Sequence, residues 1–146
     1  MAVSNSSLVV RETEKGATFE VWQGSGTMRL DWTRQGAMRI IVEGHGHAEY
    51  APPVLRRFET ILRTTPRITI LADFWEMPGY DSGLRVELSA WGAKHRSSFD
   101  LHVISRSKLV TMGVAVASLA MGGISSHTQR SSFDAEAKRL GFVQSA

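Results

Sequence analysis

At 146 residues, net charge +3 and no cysteine, the chain is long enough to bury its own core as one domain, with no need of disulfides or a structural metal. The missing cysteine excludes thiol catalysis and cysteine-ligated zinc or iron–sulfur centres, and the basic residues are scattered, so no nucleic-acid surface is expected. The opening Met1-Ala-Val-Ser-Asn lacks the charged and then apolar pattern of a secretory signal, which predicts an unprocessed cytoplasmic protein.

Residues 1–16 are polar and end in Glu12-Thr-Glu-Lys-Gly16. They read as a tail, or at most a short strand at Leu8-Val-Val10, ahead of a single domain over 17–146. Ala17–Gln23 spaces Phe19 and Val21 two apart, and Thr27–Thr33 sets Met28, Leu30 and Trp32 against Arg29 and Asp31, the alternation of a half-buried strand. Gly24-Ser-Gly26 joins them. Arg34-Gln-Gly36 leads into Ala37–Glu43, where Met38, Ile40 and Val42 alternate, so Thr27–Glu43 is expected to be a β-hairpin. Ala51-Pro-Pro53 opens the clearest amphipathic helix, with Val54, Leu55, Phe58, Ile61 and Leu62 on its apolar stripe. Arg56, Arg57, Glu59 and Arg63 form its solvated face, and Pro66 stops it.

Ile68, Ile70, Leu71 and Ala72 make a short strand buried on both faces, expected to end where Asp73 brings the first charge. Pro78-Gly79 supplies turn chemistry, and Asp81 or Ser82 is placed to cap a helix in which Leu84, Leu88, Trp91 and His95 recur through 82–97. Leu101–Ile104 is another strand. Lys108–Met121 is uncharged from Leu109 onward; its strongly apolar part is too short to cross a bilayer, so it reads as a buried helix and no membrane association is expected. Gly113, Ala115, Ala117 and Ala120 would let it lie close to the sheet, and Gly122-Gly123 ends it. Ile124–Thr128 is a weak last strand, after which Ser131 or Ser132 caps a helix with Phe133, Ala137 and Leu140 inward and Gly141 at its end. The order predicts an α/β fold: a mixed β-sheet, parallel over its later strands, with about four helices packed on it.

This order, with a polar loop leaving the middle strand, resembles the STAS domain, in particular the anti-sigma-factor antagonists and their small bacterial relatives. The likeness runs over residues 17–142 in topology, and its motif is one loop long. Asp73 stands where the family has an acidic residue after the strand, and Asp81-Ser82-Gly83-Leu84 stands where the family reads approximately Asp-Ser-Ser-Gly-Leu. The resemblance implies a non-enzymatic signalling domain that binds another protein, such as a kinase-type anti-sigma factor or other regulator, without a cofactor. It also places Ser82 at the family's regulatory phosphorylation position. One of the paired serines is missing, because Tyr80-Asp81 precedes Ser82, and Trp75, Met77, Pro78 and Tyr80 are bulkier than the family's usual loop residues.

A phosphate on Ser82 would add about −1.5 to −2 charges at the positive end of a helix, beside Asp81. Trp and Tyr are enriched among interface anchors, so the expected partner-binding loop comprises Asp73, Trp75, Met77, Tyr80, Asp81, Ser82 and Gly83. Two plainer readings stand beside it: Ser82 or Asp81 serves only as a cap, and the large side chains fold back as a lid over the sheet end. Self-association is left open.

Two further function classes are carried by other residues. In Glu43-Gly-His45-Gly-His47-Ala-Glu49 an extended chain would point all potential ligands to one side. A metal-dependent enzyme using His45 and His47 is the alternative there to a solvated connection. His95 lies on the apolar stripe of its helix, and neither His102 nor His127 acquires a catalytic partner by spacing. The other class is a carrier of a small apolar ligand, held between the Leu109–Met121 helix and the sheet. There is no nucleophile elbow, phosphate-binding glycine loop or dinucleotide fingerprint, and no residue is assigned a catalytic role.

Overall fold

Alternation at spacing two in the first half of the chain, and apolar runs separated by helices in the second, build one seven-stranded sheet in a computed structural model. The structure describes residues 8–13, 16–21 and 25–142. Met1–Ser7, the expected strand end Trp22-Gln23 and the linker residue Gly24 lie outside the described residues. The strands are β1 Leu8–Glu12, β2 Gly16–Val21, β3 Gly26–Trp32, β4 Ala37–Gly44, β5 Ile68–Glu76, β6 Phe99–Ser105 and β7 Ser125–His127. They lie side by side in chain order. The pairs from β1 to β4 are antiparallel and those from β4 to β7 parallel, so the expected mixed sheet is present and Leu8–Glu12 extends it by one edge strand.

The expected hairpin is β3–β4, with Trp32 opposite Met38 and Gly26 opposite Gly44. The helices are α1 Ala51–Leu62, α2 Ser82–Lys94, α3 Lys108–Met121 and α4 Arg130–Arg139, with a 3₁₀ turn at Ala48–Tyr50 ahead of α1. Right-handed crossovers between parallel strands that advance in one direction place their helices on one face of a sheet. Accordingly Val54 and Phe58 of α1, Leu84 and Trp91 of α2, and Val110, Ala117 and Met121 of α3 join Met38, Ile40, Val42, Ile68 and Ile70 in the main core. The opposite face has a smaller core, in which Phe133 and Ala137 of α4 and Phe142 pack on Ala37, Leu71 and Ile104.

Three expectations are corrected. β5 continues through Glu76, four residues beyond Ala72, because the first charge does not leave the sheet. Asp73 is buried and meets Arg130 on the α4 side. α4 starts at Arg130 behind Gln129, and Ser132 donates its hydroxyl to the Gln129 carbonyl (3.0 Å) without capping the helix. The third concerns α3, which is only half covered. Val110, Gly113, Ala117 and Met121 face inward, while Leu109, Met112, Val116 and Leu119 are exposed, Leu119 at 86%. Composition shows that a helix is apolar all round, but burial also needs an element to cover each face, and none does so here among the described residues.

Candidate binding site at the carboxyl edge of the sheet

β4 and β5 run parallel, so the segments leaving their carboxyl ends emerge together, as ligand-binding loops do in open α/β sheets. The two segments are zipped by a short parallel bridge between Gly46 and Tyr80. The Gly46 N–H donates to the Gly79 carbonyl (3.0 Å), and the Asp81 N–H donates to the Gly46 carbonyl (2.8 Å). Gly46 cannot be larger: a Cβ there would stand 2.7 Å from the Met77 sulfur and 2.9 Å from the Tyr80 Cβ.

This zipper dictates where the expected loop residues lie. Met77 is buried in the main core, and Tyr80 lies half-buried with its hydroxyl against Gly113 of α3. Trp75 sits on the other face, half-buried, between the Arg106 and Arg130 guanidinium groups at 5.4 and 5.9 Å from its ring centre. Asp73 accepts from Arg130 Nη1 (2.8 Å) and, within its own strand, from the Trp75 N–H (3.2 Å). The large side chains of the stretch are thus split between the two faces of the sheet. Ser82 and Gly83 are exposed at the first turn of α2.

Asp81 occupies the N-cap position of α2, but its carboxylate does not bond to that helix. It turns back to accept the Ala48 N–H (2.9 Å), at the head of the 3₁₀ turn, and contacts His45 Nε2 (2.8 Å). The His45 bond and then the Ala48 N–H lower the Asp81 pKa. His47 is buried, with Nε2 at 3.1 Å from the Ser25 hydroxyl, and its pKa is lowered by burial and by its neighbour His45. Of the residues expected to project together, the fold assembles His45 and His47 and adds Asp81, with ligand atoms all within 4.8 Å of one another. Glu43 and Glu49 stand outside that group.

Sequence spacing also gave no sign of the contact between His102 Nδ1 and His127 Nε2 (3.0 Å), which parallel pairing of β6 and β7 creates. His95 stacks on Trp91 at 4.3 Å between ring centres, as its place on the apolar stripe suggested.

Between α2, α3 and the sheet lies a cavity of about 100 Å³, lined by apolar side chains including Phe74, Leu88, Leu101, Val103 and Val114. The Ser89 hydroxyl is at its wall, buried and without a hydrogen-bond partner. Among the described residues, no helix is long and apolar enough to cross a membrane.

The strand order, the three crossovers on one face and the helix opening at the loop after β5 define the SpoIIAA-like fold, the STAS fold of anti-sigma-factor antagonists. A solved structure shares it: an uncharacterized protein of the DUF3478 family with a SpoIIAA-like fold from Shewanella loihica PV-4. It is 18% identical, with a TM-score of 0.54 over 75% of this chain and 90% of that one. No family model matches the chain, and no curated protein sequence does.

Proposed function

We propose that the chain is a non-enzymatic regulatory domain that works by binding another protein, and that the outer face of α3 is its contact surface. The observation that carries this reading is the exposed stripe Leu109, Met112, Val116 and Leu119. Exposed contiguous apolar surface on a soluble domain marks an interaction site. The spacing of three, four and three residues makes a straight seam about 15 Å long, the pattern that seats against another helix. Lys108 stands at one end, and Arg96, whose Nη2 donates to the Ala120 carbonyl (2.8 Å), at the other. Cations at both ends of an uncharged seam suit a partner helix with apolar residues along one side and carboxylates at its ends. A kinase-type anti-sigma factor is one regulator of the kind the fold suggests.

Met112→Glu with Leu119→Glu is expected to abolish partner capture while changing unfolding free energy by no more than about 0.5 kcal/mol, since both positions are exposed. A pull-down beside urea unfolding checks both halves. Retained capture would remove α3 from the interface.

In this reading Ser82 is the switch. It is exposed at the head of α2, and the Ser107 hydroxyl bonded to the Pro78 carbonyl (2.9 Å) ties its loop to the start of α3. Intact-mass analysis after incubation with a serine kinase from the same cell is expected to show one phosphate, absent in Ser82→Ala. A mass shift that survives that substitution would discard the site.

The cavity favours a second reading, in which the domain carries a small, mostly apolar molecule with one hydrogen-bonding group. The cavity lining is almost wholly apolar, and the orphaned Ser89 hydroxyl would find its partner on the ligand. Ser89→Ala is expected to stabilise the empty protein by about 1 kcal/mol, because a buried unsatisfied hydroxyl costs that much. Ligand retained through native mass spectrometry should fall in the same variant; equal retention would contradict the polar contact.

A further inference from the structure

We infer that His45, His47 and Asp81 form a divalent transition-metal site that clasps the segment leaving β4 to the head of α2. The site is distinct from the α3 surface and does not depend on it. Its ligands come from the zipper described above. Gly46 lies flat against Tyr80, so the residues on either side of it, two apart in an extended chain, project their imidazoles to the same side. The ring centres of His45 and His47 are 4.9 Å apart, and Asp81 reaches the pair from the other segment.

The donor set suits the cation class. Two imidazoles and a carboxylate favour zinc and its neighbours over magnesium or calcium, which prefer all-oxygen sites. Bonds of zinc to nitrogen and oxygen place ligand atoms roughly 3.3 Å apart in a tetrahedron. The closest pair here, His45 Nε2 and Asp81, stands at 2.8 Å, and the whole set lies within 4.8 Å. Small rotations of two rings and one carboxylate therefore close it around an ion.

The surroundings hold the set on one side and leave it open on the other. His47 forms a buried floor, whereas the His45 and Asp81 side chains are 42% and 43% exposed, leaving room for a water in the fourth position. The Ala48 N–H fixes one Asp81 oxygen (2.9 Å) and leaves the other for the cation. Such outer bonds orient ligands in metal sites. Three protein ligands with an open position form a centre that can bind a further anion or water.

The test is titration of the full, untagged chain with zinc and with cobalt(II), in buffer free of chelators. One equivalent of zinc is expected to bind, and cobalt to give the visible absorption of a low-coordinate nitrogen and oxygen site. His45→Ala and Asp81→Asn should each weaken zinc by about 10-fold or more, with the circular dichroism spectrum unchanged. His102→Ala, in the other histidine pair, should bind as the parent does. Absence of stoichiometric binding, unchanged affinity in both site variants, or loss of binding in His102→Ala would each overturn the assignment. Met112→Glu with Leu119→Glu should bind zinc normally, so failure here and failure of the α3 interface are separable.

Discussion

Arg130→Met is expected to lower the unfolding free energy by about 3 kcal/mol. Arg130 spans the gap between α4 and the sheet. It donates through Nη1 to Asp73 (2.8 Å) and through Nη2 to Asp134 (2.9 Å), and stands 5.9 Å from the Trp75 ring centre. Asp73 is only 8% exposed, so removing its cation strands a carboxylate where water cannot solvate it fully. Breaking a buried pair on one side costs about 3–5 kcal/mol, whereas replacing both partners with apolar groups is often neutral. The double variant Asp73→Leu with Arg130→Met should therefore recover most of the loss, and urea unfolding of the two single variants and the double measures it. A loss under about 1 kcal/mol for Arg130→Met would mean that α4 is held by Phe133 and Ala137 alone.

Gly113→Val is expected to destabilise by about 1–3 kcal/mol and to reach the loop as well. A Cβ at 113 would stand 2.0 Å from the Tyr80 hydroxyl and 2.8 Å from the ring carbon bearing it. The Tyr80 ring would have to leave its place between α3 and the sheet. Tyr80 is also the residue that pairs with Gly46, so moving it loosens the contact that brings His45 and His47 to Asp81. Tyr80→Ala in the same chain should relieve the clash, giving a double variant more stable than the sum of the two single effects predicts. Additive losses would show that Gly113 is constrained by something other than Tyr80.

The sequence was most legible where periodicity alone decides structure. Met28, Leu30, Met38, Ile40 and Val42 alternate and are buried, and the hairpin they predict has the expected partners. Val54 and Phe58 on α1, and Gly122 in the left-handed conformation ending α3, were readable for the same local reasons.

Features set by distant contacts were not legible. Asp73 looked like the end of a strand because its counter-charge, Arg130, lies 57 residues away. Asp81 looked like a helix cap because its turn toward Ala48 depends on the Gly46–Tyr80 bridge. His45 and His47 were visible as a pair through their spacing, but the third member of the group was hidden by a separation of 36 residues. α3 is a different case: hydropathy describes the helix, while its exposed stripe depends on what the other described residues leave uncovered.

On the proposed reading, the outer face of α3 is covered by a partner protein in the cell. Photo-cross-linking from position 119 tests it most directly, with position 94, at the end of α2, as an exposed control. The expected result is one dominant protein adduct from position 119, absent from position 94 and lost when Met112→Glu is added. Equal labelling from the two positions, or adducts to lipid alone, would contradict it.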